Sequence, residues 1–268
     1  NVADAARESD FLRLVGDIVT SRQSQDTFYT MQEVGRATND LDLATNARPD
    51  DILRVVQPLA TATWDIGRAF GTIGAKVPGP DGTFEQVEIT TYRADSYDGV
   101  TRKPTVAFGD RLEDDLVRRD FTVNAMALRL PDLGFVDPHG GLAALQAGEL
   151  DTPTAPEESF ADDPLRMMRA CRFAAQLGLV PSERVMDAMK DMAPSLEIIS
   201  AERIRDELVK LLLAADPVAG LRVLVDTGLA EHVLPELPAL RLEIDEHHRH
   251  KDVYEHSLTV LRQAVELE

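Results

Sequence analysis

Hydrophobic and polar positions follow two different periods along this chain, and the change of period divides it. In the first half the short period prevails. Phe84 to Arg93 carries Val87, Ile89 and Thr91 on one alternating face and Glu88, Thr90 and Tyr92 on the other, which predicts a strand. Ala62 to Gly67 and Gly71 to Val77 read as further short strands punctuated by glycine. Pro78-Gly79-Pro80-Asp81-Gly82 is a strong turn signal, so the second of these and Phe84 to Arg93 would form a hairpin feeding a sheet. Thr122 to Leu130 predicts another strand, with Gly134-Phe135-Val136 as its partner and Asp137-Pro138-His139-Gly140-Gly141 closing the unit.

Beyond that closing segment the period lengthens. Asp163 to Leu177, Pro181 to Met192, Ala201 to Leu213 and Pro217 to Thr227 all carry apolar residues at helical spacing. Ser200 and Asp216 stand where N-caps belong, the latter just before Pro217. The predicted fold class is therefore α+β: a head with a mixed sheet, then an all-helical extension. The sequence holds no internal repeat and no low-complexity tract.

Composition narrows the setting. The chain has 268 residues, 44% hydrophobic and 28% charged, which is the make-up of a globular protein. No apolar run approaches the roughly 18 residues that cross a bilayer, and the N-terminus does not read as a signal peptide. Cys171 is the one cysteine, so no intrachain disulfide is expected and a reducing cytoplasm is the simplest setting. The net charge of −19 argues against a broad nucleic-acid surface. An acidic exterior around a small basic cleft would favour insertion of one RNA end over the wrapping of a duplex.

Three clusters carry candidate chemistry. Asp40-Leu41-Asp42 places two carboxylates two residues apart. On a strand they share a face and suit Mg2+, with Glu88 as a candidate third carboxylate; in a loop they would be merely solvated. Arg118-Arg119-Asp120 leads into an apolar segment, where arginine suits a triphosphate; the plainer alternative is an ion pair with Asp114 or Asp115. Asp163-Pro164-Leu165-Arg166-Met167-Met168-Arg169-Ala170-Cys171-Arg172 puts arginines at every third position of a predicted helix, each step falling back by about 60°. Beside Asp163, that slanted stripe is a donor and acceptor set able to read a base edge.

Taken together and in this order, these segments resemble the bacterial class II branch of the tRNA nucleotidyltransferase and poly(A) polymerase family. The matching pieces are Asp40-Leu41-Asp42, Glu88 to Arg93, Arg118 to Ala125, Asp137 to Gly141, Asp163 to Arg169 and Ile199-Ser200-Ala201-Glu202-Arg203. The resemblance implies a polymerase-β-like head over 1–142, a nucleotide-selecting helical neck over 143–200 and a helical body over 201–240. It implies that Asp40 and Asp42 are catalytic and bind Mg2+, and that Arg119 contacts the nucleotide phosphates. Asp163 and Arg166 would pair with the base of ATP or CTP, supported by Arg169 and Arg172. The implied reaction adds CCA to the 3′ end of tRNA with release of pyrophosphate. The alternatives are poly(A) addition and a non-catalytic RNA-binding relative.

The chain departs from the family's pattern in two places. The glycine-rich segment expected before the carboxylates has its nearest match in Leu14-Val15-Gly16-Asp17-Ile18-Val19-Thr20-Ser21, which lacks the second glycine, the arginine and the aspartate. Weak nucleotide binding or an altered segment would both account for it. Residues 241–268, with the histidines between His247 and His256, resemble the start of an HD-type domain, expected here as an inactive, truncated remnant.

Overall fold

The alternating segment around Glu88 becomes one strand of a seven-stranded sheet. The computed structural model describes residues 27–30, 40–78, 84–93, 108–130, 133–242 and 253–267. Its strands are β1 (Thr27–Thr30), β2 (Asp40–Thr45), β3 (Ala62–Trp64), β4 (Thr72–Pro78), β5 (Phe84–Thr91), β6 (Ala127–Leu130) and β7 (Phe135–Val136). They line up in the order β3-β4-β5-β2-β1-β6-β7. The β2–β5 pair is parallel and the other pairs are antiparallel, so the sheet is mixed. The predicted hairpin is β4–β5, with Pro78 opposite Phe84; the turn between them lies outside the described residues.

β2 is buried on both faces, as a central strand must be. Leu43 and Ala44 are each 2% exposed yet point to opposite sides. Leu43 packs with Ile52 and Val56 of helix α1 (Pro49–Val56) and with Ile73, Val87 and Ile89 of the sheet. Ala44 packs with Leu112 and Leu116 of helix α2 (Leu112–Val117) and with Tyr92, Ala125 and Ala127. The sheet is thus held between two short helices. Each fully buried aliphatic chain in these layers contributes about 1.5–3 kcal/mol. On β4, a Cβ at Gly74 would stand 1.9 Å from the Trp64 indole nitrogen, so only glycine lets that ring lie across the neighbouring strand.

The expected strand over Thr122 to Leu130 is half right. Thr122–Asn124 is a 3-10 turn, and the strand begins at Ala127. The cause is local. Asp120 Oδ1 accepts from the Phe121 N–H at 2.9 Å and from Asn124 Nδ2 at 3.0 Å, giving the backbone an alternative to the sheet ladder.

The chain divides into two compact units between Leu142 and Ala143. From that junction on it is mostly helical: α3 (Gly141–Ala147), α4 (Pro156–Asp162), α5 (Leu165–Leu177), α6 (Glu183–Met192), α7 (Ala201–Leu212) and α8 (Pro217–Asp226). Short α9 (Ala230–Val233), short α10 (Glu236–Ala239) and α11 (Val253–Val265) follow, and β8 (Glu149–Leu150) pairs in parallel with β9 (Val180–Pro181). The predicted caps are present. Ser200 Oγ accepts from the Arg203 N–H and Asp216 Oδ1 from the Ala219 N–H. α5 is the centre of this unit, packed against α7 and α8. Met167, Met168, Ala170 and Cys171 are fully buried on it. Among the described residues no helix is long and apolar enough to cross a membrane.

Candidate active site

In the first unit, the sheet itself assembles the acidic residues. β2 begins with Asp40 and Asp42, and the parallel register sets Asp42 opposite Glu88 and Asp40 opposite Gln86. Register partners on neighbouring strands share a face about 4.8 Å apart. The aliphatic residues between them, Leu43, Val87 and Ile89, occupy the opposite face, against α1. Asp42 is half-buried and Glu88 exposed; the side chain of Asp40 lies outside what the structure describes. Among the described residues no group of three or more metal-ligating side chains converges. The acidic residues that the register aligns, Asp42 and Glu88, would offer hard carboxylate oxygens, the type that suits Mg2+ rather than a softer ion.

The arginines after α2 meet a buried acid. Asp115 is 1% exposed and receives Arg118 Nη2 at 2.6 Å, Arg118 Nε at 3.2 Å, Arg119 Nη2 at 2.9 Å and the Arg93 N–H at 3.4 Å. Burial alone would raise its carboxyl pKa, but the charges of Arg119 and Arg118 outweigh that and hold it below the usual carboxylate range. The ion pair weighed as the plainer reading of Arg118 and Arg119 therefore exists, with Asp115. It does not use all of Arg119. That residue's Nε is buried with no hydrogen-bond partner among the described residues. Such an atom is either desolvated at a cost or completed by something that binds.

In the second unit, Asp163 and Pro164 form the two-residue joint between α4 and α5. Pro164 pushes the residue before it out of helical conformation, and Asp163 sits at φ −147° and ψ 100°. Its Oδ1 accepts from the Leu165 N–H at 3.2 Å, so its side chain closes the start of α5 from the residue before Pro164. Its Oδ2 accepts from Arg203 Nη2 of α7 at 2.9 Å. Arg166 is half-buried, and its Nη1 donates to Oγ of Ser159 at 2.8 Å and to its carbonyl at 3.2 Å. The structure therefore brings Asp163 and Arg166 together with two residues the sequence reading gave no role, Ser159 and Arg203. Arg203 closes a segment matching the family pattern; nothing in the sequence marked Ser159.

The remaining arginines of the stripe go inward. Arg169 lies half-buried, its guanidinium 5.7 Å from the Phe173 ring centre. Arg172 is 1% exposed, its guanidinium 4.4 Å from the same ring centre. It donates from Nε to Glu207 of α7 at 2.7 Å and from Nη1 to Gln176 at 2.9 Å. Such a residue can support a nucleotide contact made by others, but it has no surface of its own to offer. The segment around Gly16 and the histidines from His247 to His250 lie outside the described residues, whereas His256 is exposed on α11.

Comparison with known proteins bears on the same elements. Residues 32–151 match the family described as poly A polymerase head domain, and residues 171–240 match that described as probable RNA and SrmB-binding site of polymerase A. A CCA-adding enzyme of Geobacillus kaustophilus (strain HTA426) is 41% identical over 208 residues, covering 77% of this chain and 48% of that protein. One from Limosilactobacillus reuteri (strain DSM 20016) is 41% identical over 195 residues, covering 72% of this chain and 46% of that protein. The crystal structure of the Bacillus stearothermophilus CCA-adding enzyme in complex with CTP is similar at a TM-score of 0.70 and 33% identity. That similarity covers 82% of this chain and 52% of that one. The chain spans about half the length of the curated relatives it matches.

Proposed function

We propose, for a chain that belongs to the tRNA nucleotidyltransferase and poly(A) polymerase family, that it adds CCA to the 3′ end of tRNA from CTP and ATP, without a template and with release of pyrophosphate. The observation that carries the reading is the register of β2 and β5, which aligns the Asp40-x-Asp42 strand with Glu88 inside a head of the matching family. A tRNA substrate implies a cytoplasmic setting and no membrane.

The division of labour follows from each residue's chemistry. Asp40 and Asp42 would hold Mg2+, which when bound supplies activation of the 3′-hydroxyl and charge neutralisation of the leaving pyrophosphate. Arg119 would use its remaining donors on the nucleotide phosphates, held in place by Asp115. Asp163 and Arg166 would present an acceptor and a donor to the base edge, as selection without a template requires. Arg169 and Arg172 would support them from inside the helix packing. Catalysis then consists of positioning and charge stabilisation rather than of an acid-base residue.

The test is incorporation by the protein into tRNA lacking its 3′ end, with Mg2+ and each nucleotide alone or in pairs. The expected product is two C residues followed by one A. Asp42→Asn should slow incorporation on the order of 10²–10³-fold, the usual cost of losing a group aimed at transition-state charge. Long tails from ATP alone would replace CCA addition with poly(A) addition. No nucleotide binding, together with an Asp42→Asn variant that behaves like the wild type, would make the chain a non-catalytic relative.

A further inference from the structure

We infer that Ser159 is a positioning residue for nucleotide selection, fixing the distance and orientation between Asp163 and Arg166. The inference rests on the proposed base-reading role of that pair. Ser159 lies in the last turn of α4, and its side chain is buried at 1% exposure. Three bonds converge on it. Its carbonyl accepts the Asp163 N–H at 3.3 Å and Arg166 Nη1 at 3.2 Å, and its Oγ accepts the same Nη1 at 2.8 Å. One residue therefore grips both members of the pair, Asp163 through its backbone and Arg166 through its guanidinium.

This arrangement answers a requirement of the chemistry. A base edge is discriminated only by donors and acceptors whose positions are set before the base arrives. An arginine side chain has several rotatable bonds and would otherwise lose that freedom on binding, at a cost in affinity. Two acceptors on one Nη1 fix the plane of the guanidinium in advance. A purely structural role for Ser159 would rest on its carbonyl, which ends α4. Those main-chain bonds survive removal of the hydroxyl, so the two roles separate cleanly.

The experiment measures equilibrium binding of CTP, ATP, UTP and GTP, each with Mg2+, to the full chain and to Ser159→Ala. Thermal unfolding serves as the control for folding. The expected result is that Ser159→Ala binds CTP and ATP about tenfold more weakly, the scale of one hydrogen bond to a charged group, while UTP and GTP binding stays the same. Ser159→Thr, which keeps the hydroxyl, should retain the preference. Should the Ala variant fail to unfold cooperatively, Ser159→Cys takes its place and should lose the preference in the same way. Unchanged preference in a folded Ala or Cys variant, or equal weakening of all four nucleotides, would overturn the inference while leaving the proposed function intact. A wild-type chain that binds no nucleotide would overturn both.

Discussion

At the scale of single residues, Asp115 joins neighbours on its own turn, Arg118 and Arg119, to a more distant backbone group, the Arg93 N–H. Its carboxylate gathers two guanidinium groups and a backbone N–H at 1% exposure. The pH consequence has a definite sign. A carboxyl held below its unfolded value of about 3.9 contributes stability that is complete above that value and lost as pH falls through the folded one. Asp115→Asn should therefore destabilise the protein by about 3–5 kcal/mol at pH 7, the usual cost of removing one partner of a buried ion pair. Denaturant titrations at pH 7 and pH 3 check this, and the gap between wild type and variant should narrow at the lower pH. A gap equal at both would mean that the charge of Asp115 is not what matters. At this scale the sequence was informative about identity and poor about contacts. Asp40, Asp42, Arg119, Asp163 and Arg166 were singled out by the family resemblance of their segments rather than by spacing alone, and the sequence offered Asp114 and Asp115 equally as partners for the arginines. Ser159 stayed hidden, because its bond to Arg166 crosses the break between two helices and leaves no periodic trace.

Among elements, periodicity and caps carried most of the information. α6, α7 and α8 begin at Ser182, Ser200 and Asp216, side chains that accept from the first free N–H groups. The strand expected from Thr122 failed because Asp120 and Asn124 bond locally, a competition that apolar patterning does not register. The arginine stripe on α5 shows a related limit. Its spacing suggests one basic face, yet Arg172 turns inward to Glu207 and ties α5 to α7. Removing either partner leaves a buried charge. Arg172→Met should cost about 3–5 kcal/mol, and Arg172→Met combined with Glu207→Leu should recover most of it. Chemical denaturation of the three variants measures the coupling. If the double variant unfolds as readily as the worse single one, Arg172 has a role beyond that pair.

Across the whole molecule, charge bears on how the proposed RNA substrate would be engaged. A net charge of −19 leaves little attraction for a long phosphate backbone. Binding through a single 3′ end should involve few phosphates, so the slope of log affinity against log salt should stay shallower than about −3. Fluorescence anisotropy of end-labelled tRNA between about 50 and 200 mM salt measures it. A slope near about −8 would require a broad basic surface instead. The packing of Trp64 across Gly74 has a consequence of another kind. It is the one tryptophan in the chain, and it lies in the unit before Ala143, whereas most of the helix follows that residue. Indole emission therefore watches the sheet-bearing unit alone, while far-ultraviolet dichroism is dominated by the other. Two optical signals from one unlabelled sample can thus follow the two halves separately as the protein melts.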